Sequence, residues 1–216
     1  MSTNLSTRTK TDKVYRLDWD ITHLGECDED AWLSNYPNYS GVNNLALNYP
    51  SGLPHRFEFE SIGSMLNLTD YPYTDVTWPI MSKRMLDVLL SVGSFPHEIY
   101  PVVMLDVELA YDKNLKKHIA PRTENHNYVA IHLTEYLDAF DFENSIYKRD
   151  ADRPELILRT SIKWLALREP KAGFPPLFAV KPADTKLFVS AEARLALETA
   201  NIQGIDFLYV EDGTSK

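Results

Sequence analysis

Cysteine occurs once, at Cys27, so the chain forms no internal disulfide and builds no cysteine-based zinc cluster. Such usage fits a reducing compartment, and Cys27 itself reads as an inert thiol among acids. Glycine is scarce as well, eight in all, and none stands in a dinucleotide or Walker arrangement, so no phosphate cradle is encoded. A nucleotide enzyme is not expected on that ground. No hydrophobic run approaches the roughly 18 residues that a membrane span needs. The stretch Met1 to Lys13 is polar, with no apolar segment of the kind a secretory signal requires, so residence in the cytoplasm is expected.

Basic residues are nearly missing from one region. Between Leu17 and Asp75 ten acids face a single base, Arg56, and that segment carries the whole net charge of -9. From Leu109 onward the two signs balance. An acidic face repels nucleic-acid phosphates and steers basic proteins inward. A merely solvated surface is the plainer reading of the same residues. With 44% hydrophobic and 12% aromatic residues, the 216-residue chain has enough apolar material for a sizeable core.

Two stretches repeat one pattern: a short strand, a serine, an amphipathic helix, a turn and a second strand. One runs from Trp78 through Ser82 to Gly93 and then Ile99 to Asp106; the other runs from Leu187 through Ser190 to Ala200 and then Ile205 to Val210. Counted from each serine, the pairs Met85/Ala193, Val88/Ala196, Leu89/Leu197 and Val92/Ala200 fall on one stripe of a 3.6-residue helix. The serines are the expected N-caps, each accepting from a backbone N–H of the first turn. Val14 to Trp19 and Phe57 to Glu60 alternate as half-buried strands do, and Tyr128 to Leu133 reads as another strand. Pro96 and Pro101 place Val102 to Leu105 near the edge or the start of its sheet. Asp138 to Tyr147 reads as a turn or a ragged short helix, and Leu156 to Leu167 as strand or helix. Leu177 to Val180 and Lys186 to Val189 form a hairpin. The fold class expected is α+β, a mixed or antiparallel sheet packed with a few short helices.

Ser34 to Pro54 holds five asparagines, three prolines and the tyrosines Tyr36, Tyr39 and Tyr49, a composition that favours turns over a long helix. Tyrosine supplies contact area at low entropy cost, so a loop of this kind suits protein binding. The same rings could instead fold back over the core. Asp28, Glu29, Asp30, Tyr36, Tyr39, Tyr49, Glu58 and Glu60 are the candidate contact residues. Asp18, Asp20, His23 and Asp28, with Glu29 and Asp30 beside them, could serve a metal-dependent hydrolase, although their spacing matches neither an EF-hand nor a zinc pair. No nucleophile elbow accompanies the serines, and His97, His126 and His132 are scattered. No cofactor and no metal are expected.

Three segments carry a resemblance: Ile80 to Leu89, Asp141 to Ser145, and Leu177 to Val180 continuing through Val189 to Leu195 and Gly204 to Phe207. Together they resemble an immunity-protein family of bacterial polymorphic toxin and type VI secretion systems. The resemblance spans about residues 78–210. It implies a non-enzymatic protein that binds and neutralises a cognate toxin, with no nucleic acid or membrane as partner. A polar or basic residue is implied after the late hairpin's phenylalanine, where this chain has Ala179, preceded by Pro175 and Pro176. The expected organisation is an acidic, tyrosine-rich part over residues 1–75, an immunity-type α+β part over 76–210 and a polar tail over 211–216, packed as one unit. An adaptor or chaperone that loads an effector for export is the competing non-enzymatic reading.

Overall fold

Residues 13–25, 27–34, 55–76, 78–107, 111–112, 117–118, 123–153, 157, 162–183 and 186–210 are described by the computed structural model. In chain order the elements are β1 (Val14–Trp19), β2 (Ala31–Leu33), β3 (Phe57–Ser61), the one-turn α1 (Gly63–Leu66), β4 (Ile80–Ser82), α2 (Lys83–Val92) and β5 (His97–Asp106). There follow β6 (Tyr111–Asp112), β7 (Lys117–His118), β8 (Thr123–Leu133), β9 (Leu177–Phe178), β10 (Leu187–Ser190), α3 (Ala191–Thr199) and β11 (Ile205–Tyr209). The fold is α+β, with one mixed five-stranded sheet, one antiparallel four-stranded sheet, the small antiparallel pair β6-β7 and short helices.

Both serine modules form, and they share a topology. The five-stranded sheet runs β2-β3-β5-β8-β4 and the four-stranded sheet β11-β1-β10-β9. Because β8 is antiparallel to both β4 and β5, the two strands of the first module lie parallel with a foreign strand between them. In the second module β1 separates β10 from β11 in the same way. Each module is therefore a strand-helix-strand crossover split by a strand from elsewhere in the chain.

The shared stripe explains how the helices pack. At its centre Met85, Leu89, Ala193 and Leu197 have no exposed surface, while Val88, Val92 and Ala200 pack against the same cluster at its margin. That cluster also takes Tyr15, Leu17 and Val189 from one sheet and Met81, Val129 and Ile131 from the other, so the helices join the inner faces of both. Two outer clusters cover the opposite faces. Phe57, Phe59, Trp78, Ile80 and Met104 fill one, with the Phe57 and Trp78 rings edge to face at 4.3 Å; Phe140, Phe178, Val180 and Phe188 fill the other.

Each helix starts at its serine. Ser82 Oγ accepts from Met85 N–H at 3.0 Å and Ser190 Oγ from Ala193 N–H at 3.2 Å. Ser190→Ala is expected to cost about 1 kcal/mol, the usual size of an N-cap, in chemical denaturation. Gly204 is a stricter position. Its φ is +76°, and a Cβ there would sit 1.8 Å from Thr69 Oγ1 and 3.2 Å from Thr69 Cα. Gly204→Ala should lower stability by about 2 kcal/mol, read as a lower thermal midpoint.

Three expectations change, and a fourth resolves to the turn, one of its two alternatives. Val102–Leu105 lies in a central strand, paired with β3 on one side and β8 on the other. The β3 ladder opens at Val102, one residue after Pro101, so the residue without an N–H stands at the ladder's edge rather than the sheet's. Between Asp138 and Tyr147 there is a turn over 142–144 and no helix, because Asp141 Oδ1 takes the N–H groups of Glu143 and Asn144. The described part of Leu156–Leu167 makes isolated bridges only, Ile157 to Arg149, Trp164 to Ile146 and Leu167 to Phe140. The late hairpin is paired over Leu177 and Phe178, and Val180 leaves it to bridge Leu137. Tyr36, Tyr39 and Tyr49 lie outside the described residues. Among the described residues no helix is long and apolar enough to cross a membrane.

Candidate interaction surface

Alternation along β3 sorts its residues. Phe57, Phe59 and Ser61 turn to the core, which sends Glu58 and Glu60 to the other face. Cross-strand register then assembles neighbours: Trp32 of β2 stands opposite Glu60, Val103 and Leu105 of β5 opposite Glu58 and Glu60, and Glu124 of β8 opposite Leu105. Glu29, just before β2, joins by accepting the Trp32 indole N–H at 3.1 Å. Four carboxylates thus gather around the half-buried Trp32 and Leu105 and the buried Val103. Counter-charges among the described residues include Arg56, which donates to Glu58 Oε1 at 2.6 and 2.9 Å, and His126, whose Nε2 lies 2.9 Å from Glu124.

The candidate contact residues separate in space. Glu29, Glu58 and Glu60 meet on this face, and Asp28 stands exposed on the loop leading into β2. Asp30 does not belong with them. It has no exposed surface: Oδ1 lies 2.7 Å from His23 Nε2 and Oδ2 accepts Tyr73 N–H at 2.8 Å, while its own N–H donates to the Tyr73 carbonyl. A carboxylate so fully bonded ties the acidic loop to the segment beside β2 and offers nothing outward. The segment that carries Tyr36, Tyr39 and Tyr49 connects β2 to β3, the two strands that bear this face.

The hydrolase reading meets a different geometry. Asp18 pairs with Arg16 at 2.7 Å, Asp20 accepts Thr22 N–H at 3.0 Å, His23 is spent on Asp30 and the Asp20 carbonyl, and Glu29 holds Trp32. Bonds from Thr22 hold the Asp20 carboxyl below its ordinary range. Among the described residues no three His, Cys, Asp or Glu side chains are grouped to hold a metal ion. Ser82 Oγ is likewise occupied, donating to Asp70 at 2.6 Å while it caps α2.

Asp70 is the functional-looking group that sequence reading passed over, and its role is architectural. The residue is 8% exposed, and its oxygens accept from Ser82 Oγ, from Arg84 and from Gln203 N–H at 3.0 Å. Arg84 continues to the carbonyls of Ala200 and Asn201 at the end of α3, each at 3.3 Å. One carboxylate therefore links the start of the first helix to the exit of the second. Burial alone would raise its pKa, but the bonds from Arg84, Gln203 and Ser82 outweigh it and hold the carboxyl below its usual value. No local spacing relates residue 70 to residues 84 and 200–203.

The chain matches no curated protein. A family model, described as Immunity protein family (Imm11), matches residues 16–212. That range exceeds the resemblance read from the sequence, which began near residue 78, and the fold supplies the reason: β1 lies between β10 and β11, so the late module cannot close its sheet without the N-terminal strand. The acidic region from β1 to β3 is part of the family match and no separate addition to it. The chain belongs to the Immunity protein family (Imm11).

Proposed function

We propose that this protein protects the cell that makes it by binding a cognate toxin in the cytoplasm and blocking it at a fixed ratio, without turnover. Family membership over residues 16–212 is the observation that carries this reading. The acidic sheet face supports the mode of binding: Glu29, Glu58 and Glu60, with Asp28 at its rim, steer a basic toxin surface, and Trp32 with Tyr36, Tyr39 and Tyr49 supplies anchors. Asp30 is left out because it is buried. The toxin is the product of a neighbouring gene.

Co-expression tests the proposal. Cells that produce the product of the adjacent reading frame should survive when this protein is present, and the two should co-purify. Absence of both binding and rescue would sink it. An effector-loading adaptor gives a different pattern, since its deletion blocks export of the neighbour's product and leaves the cells resistant.

A further inference from the structure

A cleft of about 510 Å³ opens where α2 ends and α3 begins, between the two serine modules. Its volume lies in the range of ligand pockets. One wall is apolar: Phe174, Pro175 and Pro176, with Val92 across from them. The wall is fixed, because Phe174 stacks on Phe178 at 5.5 Å and Phe178 on Phe188 at 5.6 Å, a column of rings running into the core. Gly173, at φ +80°, turns the chain into it.

The polar part of the cleft is net negative, with the carboxylates of Glu169 and Glu192 against the single ammonium of Lys13. Glu169 and Glu192 both line it and both are exposed. Helix α2 points its C-terminal end at the same space, with no basic residue in its last turn and with Gly93 in extended backbone where α3 has a returning N–H. A helix end of this kind carries partial negative charge. The opposing N-terminus of α3 is already answered by the Ser190 cap and by Glu192 in its first turn. One cation of the chain already lines the cleft: Lys13 Nζ lies 2.5 Å from Glu169 Oε2, with the two side chains 63% and 46% exposed, so an incoming base exchanges with Lys13 at Glu169.

We propose that this cleft receives a basic side chain, arginine or lysine, from the toxin. The carboxylates and the α2 carbonyls hold the charged head, and Phe174, Pro175 and Pro176 pack the stem or the guanidinium plane. The proposal rests on the toxin-binding reading above and adds a second contact point, distinct from the acidic sheet face.

The test uses the whole chain, ¹⁵N-labelled and titrated with N-acetyl-arginine methylamide, beside a Glu169→Gln/Glu192→Gln variant whose substitutions are both exposed and lower the melting temperature only slightly, leaving the fold intact. Saturable shifts of the Gly93, Phe174 and Ala191 amides are expected in the parent chain. They should weaken at least several-fold in the variant and be missing with N-acetylglutamate. The variant should also bind the adjacent gene's product about tenfold more weakly. Shifts that are equal in both proteins, or equal for the anionic probe, overturn the proposal. So do amides that move with protein concentration and not with the probe, which would put a second copy of this chain in the cleft. If the parent chain fails to bind its neighbour's product while the arginine titration succeeds, the toxin reading fails and the cleft's chemistry stands.

Discussion

Asp70→Ala is expected to lower the free energy of unfolding by about 3 kcal/mol, the low end for breaking one partner out of a buried pair, because Arg84 stays half in water. The effect has three sources. The Ser82 hydroxyl and the Gln203 N–H lose their acceptor, and a buried polar group without a partner costs about 1–3 kcal/mol. Arg84 loses the anchor that holds it against the end of α3. For a chain of this length, 3 kcal/mol corresponds to a fall of about 6–12 °C in the thermal midpoint. Arg84→Ala should cost less, about 1 kcal/mol, since its exposed head is screened by solvent.

The same carboxylate makes stability depend on acid. Its folded-state pKa lies below the unfolded value near 3.9, so the folded state binds the proton less readily. The stabilisation is therefore fully present above the unfolded value and is lost as pH falls through the folded one. Denaturation followed from pH 7 to pH 2 should show a decline below about pH 4 that is smaller in Asp70→Asn. Equal slopes would mean that the Asp70 carboxylate does not carry the linkage.

Glu58→Lys/Glu60→Lys is the second large expectation, and it acts on association rather than folding. Reversing two charges on the sheet face should slow capture of the neighbouring gene's product by about 10–100-fold at low salt. The gap should close as salt rises, because the screening length falls from about 10 Å at 0.1 M to about 3 Å at 1 M. Dissociation should change little unless these carboxylates are buried in the complex. Folding should survive, since the lost Arg56–Glu58 pair is a surface contact of the kind that contributes at most about 1 kcal/mol. A double reversal that leaves the association rate and its salt dependence untouched would remove this face from the mechanism.

The serine modules were legible because their information is local. A cap and a 3.6-residue stripe lie within one helix, and Met85, Leu89, Ala193 and Leu197 are buried where the offsets placed them. Strand order was not legible. That β8 divides β4 from β5 and that β1 divides β10 from β11 depends on pairings between distant segments, which no window of sequence contains. The acidic region shows the same division. Its charge could be counted from the sequence, but Asp30 and Asp70, buried and fully bonded, look there like Glu58 and Glu60, which face outward. The signal that separates them was available for β3 alone, where alternation with Phe57 and Phe59 assigns the glutamates to the outer side. Asp70 sits in a turn, where no period assigns a face.

Inhibition by occupancy rather than by turnover is the central claim, and titrating toxin activity against this protein tests it most directly. Residual activity of the adjacent gene's product should fall in a straight line and reach zero at a fixed whole-number ratio of the two chains. Loss of activity at a small fraction of an equivalent, growing with time, would show that the protein acts as a catalyst, and undiminished activity at excess would show that it does not act on this partner.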